Sequence, residues 1–368
     1  MSILLVILVL SFLVIIHEMG HLLVALWSKV GVEEFGVGYP PKAKKLFSWK
    51  NIPFTLNWVP FGGFVRLQGE DAPIGSATKT GDFRSVSRAK RVAIIVAGVS
   101  MNFIFGVAVF SAIFTITGIP TELNQARIGL VQEGTPASTA QLPANVTITA
   151  IEVQGERIST LTVTDAQKVI LAHRGETIGV ITTGPCEQLE CLEQEQQFEV
   201  AVRTVEETPE GQGAIGIVFQ DQILVQYPIW QMPFRGAYFG TIQAIDLGKQ
   251  ILVALGTLVH QIVTTGRAPA DVVGPIGIAS QAEQLQLANQ GWIAALVFAA
   301  MISINLAIMN ILPIPPLDGG RLLFLLLEPV VKKKWLEKIE YWANYSGFII
   351  LIGMILIISV RDVWNIFT

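Results

Sequence analysis

Residues 17–21 read His-Glu-Met-Gly-His, two imidazoles four positions apart with a carboxylate directly after the first. On a helix, positions i and i+4 share one face, so both imidazoles can reach one metal ion while Glu18 sits beside a water on it. Zinc suits this set, with imidazole nitrogen ligands, tetrahedral geometry and an open position for water. It would lower the pKa of that water toward neutrality, and Glu18 could take the proton and pass it to a leaving amine. The chemistry indicated is metal-assisted hydrolysis of a peptide bond.

A five-residue match can arise by chance in a soluble chain. Here it falls inside an apolar stretch running from Met1 to Trp27. A carboxylate at the centre of such a span costs about 2.5–3.5 kcal/mol on insertion scales, so polar groups there are functional by default.

An open zinc site takes a third protein ligand. A histidine-extended version of the motif would need Gly at position 24 and His at 27, where the chain has Val24 and Trp27. Glu33 and Glu34 could serve in principle, but they fall past the end of the span. The better candidate is Asp318, in the run Asn310-Ile-Leu-Pro313-Ile-Pro315-Pro316-Leu317-Asp318-Gly319-Gly320. Its prolines end a helix, and a carboxylate with two flexible glycines follows.

These residues need elements to hold them, and the composition points to membrane helices. Of 368 residues, 51% are hydrophobic and 15% charged, against about 25% charged in a soluble globular chain. The mean hydropathy is +0.54. Net charge is only −4, so no nucleic-acid footprint is visible. The first apolar stretch lacks a basic leader and a small-residue cleavage site, so retention as a span is expected. Residues 91–117 and 291–312 form the second and third spans, and 346–360 with its flanks the fourth. Residues 238–265 are apolar but carry Asp246, Lys249 and His260, which predicts an amphipathic helix at the membrane surface. Around Phe35–Tyr39 and over residues 54–67, alternating apolar residues and the glycines 36, 38, 62 and 63 predict short strands, either lying against the membrane or forming an ordinary cytoplasmic hairpin.

Charge sets the orientation. The loop after the first span holds eleven Lys and Arg between Lys29 and Arg91, and the loop after the third holds Arg321 and Lys332–Lys334. Residues 121–230 are acidic, with Glu187, Glu190, Glu193, Glu195 and Glu199 in one stretch. The basic loops are therefore placed in the cytoplasm, and both termini and the acidic region outside. The first and third spans then run the same way. At about 1.5 Å per residue His17 lies about 22 Å along the first, at a depth similar to Asp318 at the inner end of the third.

With both motifs in place, the chain resembles the site-2 protease family of intramembrane zinc metalloproteases, in particular its bacterial regulator-of-sigma-E branch. The resemblance extends to Gly36-Val37-Gly38, Phe61-Gly62-Gly63-Phe64, Gly98–Asn102 and Gly274-Pro275-Ile276-Gly277. It implies Zn2+ held by His17, His21 and Asp318, with Glu18 as general base. It also implies substrate contacts from Asn310, Pro313 and Pro315 and from the strand region at Gly36 and Gly38. The substrates implied are single-span membrane proteins, such as anti-sigma factors or remnant signal peptides, cut in the bilayer of the bacterial inner membrane. Residues 131–138 and 148–156 resemble the turn and strand pair of a PDZ domain, with Asn145-Val146-Thr147 in place of the usual Gly-Asp.

The expected architecture is a polytopic α-helical membrane protein of about four transmembrane helices, with a membrane-associated β-hairpin loop and an inserted extracytoplasmic PDZ-like α/β domain. Residues 1–120 form the first half of the protease core and 121–225 the PDZ-like domain. Residues 226–290 form amphipathic surface helices, and 291–368 the second half of the core. Cys186 and Cys191 lie outside by this topology, where a short loop-closing disulfide is preferred over two free thiols. Asn102, polar within the second span, needs a partner, either a neighbouring helix or the active site. Two other functions compete: a catalytically silent membrane scaffold, against which both intact motifs argue, and a metal-ion transporter, which would favour ligands at several depths.

Overall fold

The computed structural model describes residues 2–70, 79–160, 162–184, 195–209, 212–265 and 291–367. Cys186, Cys191 and the 274–277 motif lie outside them. The chain divides into two compact units, one made of Met1–Ile113 with Pro233–Thr368, the other of Phe114–Met232.

The first unit is built on long apolar helices. Among the described residues, five are long and apolar enough to cross a membrane. They are α1 (Ser2–Trp27), α2 (Arg88–Thr117), α5 (Met232–Thr265), α6 (Trp292–Ile311) and α8 (Lys333–Phe367). A helix satisfies every backbone donor and acceptor internally, which hydrocarbon demands. About 20 residues at about 1.5 Å each cover a hydrocarbon core of about 30 Å. The short α7 (Asp318–Leu327) follows α6 after a turn.

Two helices extend beyond the stretches that the sequence singles out. The segment expected at the membrane surface is part of one uninterrupted 34-residue helix, α5. Its Asp246 and Lys249 pair at 2.9 Å one turn apart, so the two charges offset each other. A β-carbon on Gly240 of α5 would lie 2.8 Å from Ser111 Cα in α2, and one on Gly248 would lie 3.4 Å from Ile308 Cδ1 in α6. Helix α5 thus packs alongside two other apolar helices. The stretch 346–360 is likewise only part of α8, whose apolar portion runs Trp335–Ile358.

Helices α1 and α6 run in the same direction. Val6 and Leu10 of α1 pack with Ala294 and Phe298 near the start of α6, while His17 and His21 meet Asp318 just beyond its end.

Between α1 and α2 lies an antiparallel pair, β1 (Val32–Trp49) and β2 (Ile52–Leu67). Lys50 and Asn51, with φ of 49° and 65°, form its two-residue turn between Trp49 and Ile52, the left-handed geometry that matches strand twist. Phe35 pairs with both Val65 and Phe54, so the first half of β1 is flanked by both halves of β2. Phe35, Phe54 and Ile52 are buried together with Leu22 of α1, which lays the sheet along the helix carrying the His-Glu-x-x-His run.

The second unit is a six-stranded sheet in the order β7-β6-β4-β3-β8, with β5 on β4. Its strands are β3 (Ile119–Val131), β4 (Thr147–Val153), β5 (Glu156–Ser159), β6 (Thr177–Thr183), β7 (Glu195–Ala201) and β8 (Ile217–Val225). Helices α3 (Pro136–Thr139) and α4 (Val163–Ala172) complete it. Thr135 and Thr162 cap them, each accepting a backbone N–H three residues on. Ala166 and Ile170 of α4 join Ile128, Ile148, Ile151, Ile178 and Val180 in one buried core.

Candidate metal centre

One helical turn separates His17 from His21, and their Nε2 atoms stand 3.2 Å apart. Asp318 brings Oδ2 to 2.9 Å from Nε2 of His17 and 3.2 Å from Nε2 of His21. Among the described residues these three are the group able to hold a metal ion. Tetrahedral zinc, with donors at about 2.0–2.1 Å, spaces its ligand atoms about 3.3–3.4 Å apart. The observed triangle is close to that size.

Two further features show that the residues fit such an ion. Gly98 of α2 faces the triangle: a β-carbon there would lie 2.8 Å from both Cε1 and Nε2 of His17 and would overlap Nε2 of His21. Only glycine leaves that space open. His21 Nδ1 lies 2.8 Å from the Ile94 carbonyl oxygen. A carbonyl can only accept, so Nδ1 carries the proton and the Nε2 lone pair is left for a metal. His17 is 7% exposed, and its Nδ1 has no partner among the described residues.

Local chain geometry explains how Asp318 arrives. It is the first residue of α7. The turn after α6 folds back so tightly that a β-carbon on Gly319 would overlap the carbonyls of Ile311 and Leu312, and one on Gly320 would lie 2.9 Å from Ile314 C. The two glycines after the aspartate are what permit this reversal.

Glu18 and Gly63 approach closely, a β-carbon on Gly63 coming 3.5 Å from Glu18 Cγ. Gly63 belongs to strand β2, so β2 passes directly beside the Glu18 side chain. Glu18, His21 and Asp318 line a cavity of about 710 Å3 together with Tyr39, Gly63, Phe64, Pro316 and Arg321.

The structure therefore brings His17, Glu18, His21 and Asp318 to one place. Asn310 stands in the last turn of α6, and Pro313 and Pro315 in the connection to α7. Gly36 pairs with Phe64 and Thr55 inside the sheet, and Gly38 has φ of 79° beside the Val59 carbonyl. These five are not among the residues lining the cavity beside the cluster. Two other carboxylates of the basic loop are engaged elsewhere: Glu34 with Thr55 and Arg66, Glu70 with Arg321. Asn102 is 1% exposed; its backbone carbonyl accepts from Ser303, while its amide has no partner among the described residues.

Sequence reasoning passed over the Ile94 carbonyl and the part played by Gly98. The first carries no side-chain signal, because the acceptor is backbone. The second had one, a glycine within an apolar helix, where glycine is costly unless close packing requires it.

Comparison with known proteins identifies the family. A zinc metalloprotease by name, from Fusobacterium nucleatum, is 27% identical over 377 residues, covering the whole of both chains. Another of the same designation, from Clostridium acetobutylicum, is 28% identical over 98% of this chain and 97% of its own. The zinc metalloprotease RasP of Oceanobacillus iheyensis is 25% identical over 98% of each chain. Residues 5–354 match peptidase family M50, and the chain belongs to that family, the site-2 proteases, as a multi-pass zinc metalloprotease.

Proposed function

We propose that this protease hydrolyses peptide bonds in or beside the transmembrane segments of single-span membrane proteins, with His17, His21 and Asp318 as zinc ligands and Glu18 as general base. The observation that carries the reading is the position of the cluster. His17 stands ten residues before the end of α1, about 15 Å into an apolar helix at 1.5 Å per residue. A soluble protease has no reason to bury its ligands there.

Zinc held by His17, His21 and Asp318 would supply Lewis-acid polarisation and make an attacking water more acidic. Glu18, beside Gly63 of β2, takes the proton of the attacking water on its carboxylate and delivers it to the amide nitrogen that leaves. Asp318 and the two imidazoles hold the ligand triangle, and the Ile94 carbonyl keeps His21 in the tautomer that ligates. A helical substrate hides its carbonyls in its own hydrogen bonds. An extended one can lie along the sheet at Gly36, Gly38 and Gly63, with Asn310, Pro313 and Pro315 as further contacts.

The positive-inside pattern supports an inner-membrane protein with both termini and the second unit outside. The shared direction of α1 and α6 suits four spans, with α5 entering beside α2 and α6 without adding a net crossing. The sheet and helices of the second unit suit a PDZ-like module that filters substrates by the size of their external domains. Anti-sigma factors and remnant signal peptides both have the single-span form required.

The test is the position of the cut. A single-span reporter incubated with purified enzyme in lipid vesicles should yield fragments whose new termini, by mass spectrometry, fall within or next to the span. Cuts confined to its soluble domains would overturn the reading.

A further inference from the structure

Helix α7 carries Asp318 at its first residue and is closed at the other end by Glu328. Both oxygens of that glutamate accept from Arg91 of α2, Nη1 at 2.8 Å to Oε1 and Nη2 at 2.8 Å to Oε2. Arg88 lies 3.8 Å from the same carboxylate. The side chains of Arg91 and Glu328 are only 12% and 16% exposed. A two-pronged guanidinium–carboxylate contact fixes angle as well as distance.

Arg91 stands three residues before Ile94, whose carbonyl oxygen lies 2.8 Å from His21 Nδ1. The contacts therefore close a circuit. It runs from His21 to Ile94, along α2 to Arg91, across to Glu328, and back along α7 to Asp318. From there Oδ2 returns to His21 Nε2 at 3.2 Å.

Leverage decides what the circuit does. Ten residues of helix are about 15 Å long, so a tilt of about 4° at one end moves the other by about 1 Å. Metal–ligand distances tolerate only about 0.2 Å. Holding the far end of α7 in a fixed direction is thus a condition for keeping Asp318 on the metal. A buried ion pair is weak evidence for stability, since apolar replacement is often neutral. What the charged fork adds, and an apolar pair would not, is direction.

We infer that Arg91 and Glu328 form a positioning clamp for the third metal ligand, setting where Asp318 stands relative to His17 and His21. The inference rests on the assignment of those three residues as ligands. Glu328 and Arg91 do not touch the metal; they act through α7 and α2.

The experiment is zinc retention by the full-length, detergent-purified protein against rising EDTA, with melting temperature read in parallel, for wild type, Arg91→Gln, Glu328→Gln, the double variant and Arg91→Lys. The two single variants should release zinc at about tenfold lower EDTA, the lower end of the effect of outer-shell partners. The double variant should be no worse than the poorer single, because the two residues act as one unit. Arg91→Lys, which keeps the charge and loses the fork, should fall between. Zinc held as tightly by the variants as by wild type, even with lowered melting temperatures, would overturn the clamp alone. Absence of zinc from wild type would overturn the ligand assignment and the clamp with it.

Discussion

Gly98 lies so close to His17 that a β-carbon on it would come within 2.8 Å of the ligand nitrogen Nε2. The packing of α2 on α1 therefore shapes the candidate metal centre. Gly98→Ala separates this role from any effect on helix formation, because the two have opposite signs. Alanine favours a helix interior by about 1 kcal/mol over glycine, so α2 itself should not suffer. The metal space is filled, and zinc affinity should drop at least about tenfold, in the range of damage to a ligand's surroundings. Zinc titration of the purified variant checks this. Wild-type affinity would show that the contact is relieved by movement of α2.

Asp318→Asn keeps the size of the side chain and removes the charge that completes the ligand set. Zinc affinity should fall by more than the about 10–100-fold that loss of a ligand's outer-shell partner costs, and hydrolysis with it. Glu34 and Glu70 are committed to Thr55, Arg66 and Arg321 and should not rescue the site. Full zinc occupancy in Asp318→Asn, measured by atomic absorption, would remove Asp318 from the ligands.

Gly319→Ala probes the reversal that delivers Asp318. Its β-carbon would overlap the carbonyls of Ile311 and Leu312, and overpacking of this kind costs about 1–3 kcal/mol. The variant should melt earlier and hold less zinc. An unchanged melting temperature would mean that the turn opens freely.

In the second unit Ile151 is fully buried at the centre of the sheet. Ile151→Ala should destabilise that unit by about 2–5 kcal/mol. Thr162→Ala, which removes the cap of α4, should cost about 1 kcal/mol. Hydrogen exchange of the β4 and α4 amides reads both. Equal protection in the two variants would contradict the assigned core.

Much of the site was legible because its signals are local. A helix brings residues four apart to one face, so His17 and His21 declare themselves by spacing, and Asp318 by the prolines before it and glycines after it. Other contacts are non-local and carry no period. Arg91 and Glu328 are 237 residues apart, and each reads alone as an ordinary charge near a helix end. Phe35 pairs on both sides within one hairpin, a register that alternation cannot reveal.

The account is tested most directly by Glu18→Gln, with zinc content and cleavage of a single-span reporter measured beside wild type. Glutamine preserves shape and the metal ligands while removing the base, so the variant should hold the same zinc and cut nothing. Cleavage by Glu18→Gln at a wild-type rate, or wild type without zinc, would contradict hydrolysis at this centre.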